Sequence, residues 1–248
     1  MTAVEHLHRG TGQRNGNGEF ATGLLLVLAA VVVNVAFAAL SAVFDYPDVL
    51  QAPAHDVLAR FRPDAAAVGG LFLLLAAGAA LLGPIAVRLS RLTRDAAGAR
   101  LAAAAATVGI AACAVQVIGL LRWPLVVPFL AETASSPDAT AGERAAAAST
   151  FQTLHTVLGQ VIGETCGYTL TAFWTALTVL LLRRAGRIGA VSSVVASAAA
   201  GMIAVGVLVP FGVPGTDVTN FVGYVAWSGW LIALGVRLMR RTAHAPNL

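Results

Sequence analysis

An all-α polytopic membrane bundle of six transmembrane helices is the predicted fold class, and three observations predict it. The first is composition: 58% of the 248 residues are hydrophobic and 11% are charged, and the mean hydropathy is +0.79. A soluble domain carries about a quarter charged residues and a disordered chain is poorer in apolar ones, so both classes are excluded. The second is spacing. Apolar runs near 21–44, 65–87, 100–121, 160–182, 188–209 and 219–238 approach or reach the roughly 20 helical residues that cross a hydrocarbon core. The third is the distribution of arginine. Sorted by alternate loops, Arg9, Arg14, Arg88, Arg91, Arg94, Arg100, Arg183, Arg184, Arg187, Arg237, Arg240 and Arg241 fall on one side, and Arg60, Arg62, Arg122 and Arg144 on the other, with most of the acids. Short cytoplasmic loops hold the positive excess, so both termini are expected in the cytoplasm.

Taken in order, residues 1–18 read as a disordered polar cytoplasmic tail rich in Gly, Asn, His and Arg, and 19–241 as a single six-helix membrane domain closed by a cytoplasmic tail, 242–248. The first apolar run, 21–44, is too long for a signal peptide and is expected to stay as a helix. Between the first two spans, Val57, Leu58 and Phe61 recur at helical spacing, which predicts a short amphipathic helix on the outer surface. After the third span comes Arg122-Trp123-Pro124, then Val127-Pro128. Prolines four apart in an apolar stretch predict a broken or partly re-entrant element. Helix is expected to resume near Thr140 and run into the fourth span. The sixth span, 219–238, is the weakest because its uncharged run ends at Arg237, and it is kept for Trp227 and Trp230 and for the arginines at its end.

Every basic residue is arginine, and alanine, glycine and valine are abundant, the signature of GC-rich coding, so a bacterial cytoplasmic (inner) membrane is the expected location. The arginines flank apolar runs instead of gathering on a polar domain, which argues against nucleic acid. Cys113 and Cys166 lie inside apolar segments and read as buried thiols. The histidines His6, His8, His55, His155 and His244 have no ligand spacing, so no metal is expected, and no cofactor fingerprint or catalytic motif occurs.

The fourth span carries the most chemistry. Gly159, Gly163 and Gly167 fall four apart, a face smooth enough for close approach by another helix and the expected surface for an oligomer. Beside it runs a polar row of Gln160, Glu164, Tyr168, Thr171, Thr175 and Thr178. Glu164 is the one acidic residue inside the six predicted spans, and an ionisable group at membrane depth marks a functional site or a buried ion pair. Arg122, expected at similar height, is the partner for such a pair. His155 lies about two turns above Glu164 and reads either as a proton relay or as a surface residue. Gln116, Asn34, Tyr224, Trp227 and Trp123 place further polar and aromatic groups in the outer halves of their helices. Together these residues predict a ligand-binding pocket opening outward, although each alone is also ordinary interhelical glue.

The runs Arg122-Trp123-Pro124 with Val127-Pro128, Gly163-Glu164 with Gly167-Tyr168 and Trp174, Gly223-Tyr224 with Trp227 and Trp230, and Tyr46-Pro47-Asp48-Val49-Leu50 resemble a bacterial, mainly actinobacterial, family of multi-pass membrane proteins classed as a domain of unknown function. The resemblance implies a six- or seven-helix inner-membrane protein and supplies no catalytic residue. The family pattern sets His-Leu after the glutamate, where this chain has Thr165-Cys166. Three function classes follow from the residues: a protein that binds or transports a small molecule around Glu164, an intramembrane enzyme acting on a lipid or isoprenoid, and an accessory protein that contacts another membrane protein. Membrane lipids surround the chain in each.

Overall fold

The computed structural model describes residues 3–243, with side chains from 16 to 241. The tail 244–248 with His244, residues 1–2, and the side chains of His6, His8, Arg9 and Arg14 lie outside the described residues. Among the described residues there is no strand, and six helices are long and apolar enough to cross a membrane: Gly16–Phe44, Ala65–Ala97, Ala99–Ser135, Ala141–Arg184, Ala190–Phe211 and Thr216–Arg241.

The first span belongs to α1 (Ala3–Phe44), whose backbone continues back into the stretch where composition predicts disorder. No proline interrupts that stretch, so the helix can propagate outward from its apolar part. At the other end Asp45 takes a positive φ of 56°, reversing the chain through a short 3₁₀ turn (Asp48–Gln51) into α2 (Ala54–Phe61). The predicted amphipathic helix is therefore present. Its apolar face, Val57, Leu58 and Phe61, is buried in the protein's own core instead of lying on lipid.

The second span is two helices, α3 (Ala65–Ala80) and α4 (Leu82–Ala97). Pro84 has no N–H to offer the Ala80 carbonyl one turn back, and Cys113 Sγ donates to that carbonyl at 3.4 Å instead. The central helix is α5 (Ala99–Leu125), which packs on α3, α4 and α8. Pro124 and Pro128 bracket the break at Val126, after which α6 (Val127–Ser135) completes the third span. Then α7 (Ala141–Leu154) opens on a capping box between Thr140 and Glu143 and passes through a π-helical segment, His155–Cys166, into α8 (Gly167–Arg184). The last two spans are α9 (Ala190–Val205), ending in a 3₁₀ segment (Gly206–Phe211), and α10 (Thr216–Ala243).

The arginine-rich end, where α1 begins, is tied by Arg187 to Glu19 at 2.7 Å and by Arg184 Nη1 donating to the Ala97 carbonyl. The far end holds an aromatic core around Trp123, and a second core centres on Trp174, Trp230 and Leu89. Leu24, Leu28, Val35, Leu73, Ile110 and Phe173 are exposed, as expected of side chains that face hydrocarbon.

Two backbones touch where α1 crosses α10. A Cβ on Gly235 would stand 2.6 Å from the Gly23 carbonyl oxygen, whereas one on Gly229 of the same helix meets nothing. Gly235→Leu is therefore expected to cost about 2 kcal/mol of stability and lower the Tm of the purified protein, with Gly229→Leu unchanged. Equal Tm values for the two variants would contradict this crossing.

Candidate functional site

The site begins with a close crossing of two helices. A Cβ on Gly119 of α5 would stand 2.9 Å from the Cα of Gly163 and 2.9 Å from the Leu158 carbonyl oxygen, and a Cβ on Gly167 would meet the Gln116 side chain at 3.3 Å. The glycine face of the fourth span is thus occupied by α5 of the same chain. Within the chain, then, the close approach that Gly163 and Gly167 permit is made by α5. The winding departs from the expected α-helix. Over His155–Cys166 the backbone bonds to the fifth residue back, as where the Gly167 N–H donates to the Ile162 carbonyl, and the Thr165 side-chain Oγ1 donates to the Gln160 carbonyl at 2.9 Å. In that geometry residues five apart stack, so Gly159 stands one turn above Glu164. Such π-turns are rare and concentrate at functional sites.

Into this crossing reaches Arg122, 5% exposed. Its Nη1 donates to the Gly119 carbonyl of its own helix. Its Nη2 lies 2.8 Å from where a Cβ on Gly159 would be, and His155 Nδ1 lies 3.1 Å from the same point, so only hydrogen at position 159 leaves room for both. Nε of Arg122, Nε1 of Trp123 and Nδ1 of His155 are buried without a hydrogen-bond partner. Glu164 and Arg122 lie within electrostatic range of each other, yet they are not among the ion pairs the structure forms, such as Arg60–Asp45 and Arg187–Glu19. The expected Glu164–Arg122 ion pair is therefore not closed. Instead the guanidinium is held by its own helix.

Trp123 roofs the site. It stacks on Phe72 at 4.6 Å with the rings 3° from parallel, meets Phe44, Phe61 and Phe151 edge-on or tilted, and has Arg122 Cζ 5.4 Å from its ring. His155 stacks on Phe151 at 6.2 Å. Trp123 is wholly buried, so it acts as a wall rather than a contact surface. Tyr46, just beyond the end of the first span, folds inward against Phe72 and Trp123. It stands within electrostatic range of Arg122 and Glu164.

Below Glu164 two members of the predicted polar row are bonded across helices. Gln116 Nε2 donates to Thr171 Oγ1 at 2.8 Å and Trp227 Nε1 to Thr175 Oγ1 at 2.9 Å. Tyr224 lies between Tyr168 and Trp227 at 5.8 and 6.1 Å. Asn34 does not join this group: its Nδ2 donates to Ser228 Oγ at 2.9 Å and ties α1 to α10. The structure thus brings Arg122, Trp123, His155, Glu164 and Tyr168 around one place, sets Gln116, Tyr224 and Trp227 in a bonded ladder beneath, and leaves Asn34 apart. The Gln160 side chain is half-buried on the same π-turns. Surface depressions lie along Arg237 to Arg241 and beside Asp48 and Arg60, neither of them lined by Glu164 or Arg122. Among the described residues no group of His, Cys, Asp or Glu could hold a metal ion.

A family described as a domain of unknown function, DUF4386, matches residues 21–235, a range that holds all six spans but for a few terminal residues and every residue of the site. The chain belongs to the DUF4386 family. No curated protein and no solved structure matches it. For a DUF4386 chain, then, the residues and their chemistry carry the functional argument.

Tyr46 lies outside the membrane-spanning helices, and burial, the largest influence, pushes its phenol from 10.0 up to about 12; Arg122 opposes the rise and Glu164 adds to it. Because the folded phenol holds its proton more tightly than the unfolded one, its stabilising contribution is complete below pH 10 and is lost as pH rises toward about 12. In a spectrophotometric titration, Tyr46→Phe should leave the tyrosinate signal near pH 10 unchanged. A tyrosinate signal near pH 10 that Tyr46→Phe removes would show Tyr46 titrating as an exposed phenol.

Proposed function

We propose that this protein binds a small molecule between α5 and the π-segment, around Glu164 and Arg122, and carries it across a bacterial cytoplasmic membrane with both termini in the cytoplasm. The location rests on the all-arginine, alanine-rich composition and on the twelve-to-four arginine asymmetry. One observation carries the functional reading: two discontinuous helices, α5 broken at Val126 and the fourth span unwound into π-turns, meet at a buried arginine and a glutamate that do not pair. Secondary transporters place substrate and coupling ions where broken helices meet near mid-membrane, and unpaired charge inside a bundle marks an ion or substrate path.

The conformation fits an occluded stage of such a cycle. The Trp123 cluster closes the far end, while the Gln116–Thr171 and Trp227–Thr175 bonds and the Glu19–Arg187 pair close the path toward the other. Glu164 is the group whose protonation couples to movement. Native mass spectrometry of the gently purified protein should find a retained small molecule, and its efflux from proteoliposomes should depend on pH. Glu164→Gln, which keeps the shape and removes the charge, should assemble normally and show flux that no longer varies with pH. A wild-type pH profile in the variant would refute the role of Glu164, and no retained molecule on the wild type would refute binding.

A further inference from the structure

The chemical class of the ligand follows from the way Arg122 is held. Because Nη1 is bonded to the Gly119 carbonyl, the plane of the guanidinium is set and the opposite edge, Nε with Nη2, is left over. Nε is buried without a partner, and Nη2 abuts the hydrogen-only side of Gly159. That edge is the one on which a carboxylate or phosphate seats two oxygens side by side. Another buried nitrogen without a partner adjoins it, Nδ1 of His155 across Gly159. The imidazole can donate from Nδ1 in the tautomer that carries the proton there. Buried donors of this kind are normally satisfied, and their gathering in one place points to a missing acceptor.

Glu164 is the only acid within the site, and it does not supply that acceptor. An incoming anion beside an ionised Glu164 is repelled, whereas a protonated carboxyl can donate to it. The groups that face Glu164 are Arg122 from α5, Tyr46 from the turn after α1, Tyr224 from α10, and Tyr168 of its own helix, with His155 beyond Arg122. Arg122 is the one permanent charge among them. A cationic ligand would meet that charge, and a neutral one would leave it uncompensated in the membrane.

Resting on the binding reading above, we propose that the Nε and Nη2 edge of Arg122 receives an oxyanion group of the ligand, a carboxylate or phosphate, which enters together with a proton on Glu164.

The test uses the full chain in neutral detergent, at about pH 5 and about pH 8, with sodium propionate, inorganic phosphate, short-chain phosphatidylglycerol, phosphatidylcholine of the same chain length, tetramethylammonium and glycerol as probes. At least one anionic probe should raise the Tm, by about 5 °C at a hundredfold excess over its Kd, and more at the lower pH. A shift with propionate or phosphate identifies a soluble oxyanion; one with phosphatidylglycerol alone identifies a lipid headgroup. Arg122→Gln should weaken that binding at least about thirtyfold. Glu164→Gln should abolish the pH dependence of that binding, and this variant decides the matter if Arg122→Gln fails to fold. No shift with the three anionic probes overturns the oxyanion assignment, as does tighter binding at pH 8. A shift with tetramethylammonium, glycerol or phosphatidylcholine alone overturns it while leaving small-molecule binding intact, and the mass-spectrometric search for a retained molecule tests that binding separately.

Discussion

The contact between α5 and the π-segment is the constraint on which the rest of the molecule turns. Gly119 against Gly163 brings the two backbones together, and Gly159 leaves the space that the guanidinium of Arg122 fills. A side chain at any of the three would part the helices or displace the arginine. Burying a guanidinium in a membrane bundle is costly unless hydrogen bonds compensate, and here the Gly119 carbonyl supplies one of them. The remaining capacity is what gives the site its chemistry.

The far end of the protein is organised to keep that arginine where it is. Pro124 stops α5 just after Trp123, and the indole then packs against Phe72, Phe44, Phe61 and Phe151 from four other elements. Because Arg122 and Trp123 are adjacent, fixing the indole fixes the base of the arginine side chain. The reversal at Asp45 swings Tyr46 into the same cluster. Hydrogen-bond geometry, aromatic packing and backbone breaks therefore act on one locus, and local choices that agree in this way are what give a fold a single low-energy arrangement.

The six spans could be read from the sequence because hydropathy and arginine placement are set by the bilayer itself, which acts on each segment separately. The helix breaks near Pro124 and the resumption at Thr140 were legible for a similar reason: missing N–H groups and capping residues act locally. The proximity of Arg122 and Glu164 followed from counting residues up from the ends of two spans. What the residues could not disclose is tertiary. The glycine row announces a close approach without saying to what, and within the chain α5 makes it. The π-winding of 155–166 shifts the phase of the polar row, and nothing in the local sequence distinguishes it from an α-helix. Tyr46 sits in a loop whose fold depends on Trp123, seventy-seven residues away in the chain, so its place in the site had no local signal. Asn34 shows the converse, since its isolated polarity looked like part of a site and proved to be a bond to Ser228.

The function of the site depends on whether the outer edge of Arg122 is reserved for something other than Glu164. An experimental structure of the full chain in lipid nanodiscs, resolved well enough to see side chains and bound molecules, tests this most directly. It should show non-protein density against Nε and Nη2 of Arg122, with the glutamate unpaired one π-turn below Gly159. A Glu164 carboxylate seated two-pronged on that edge, with no room left for a ligand, would contradict it and make the pair a structural clasp between helices.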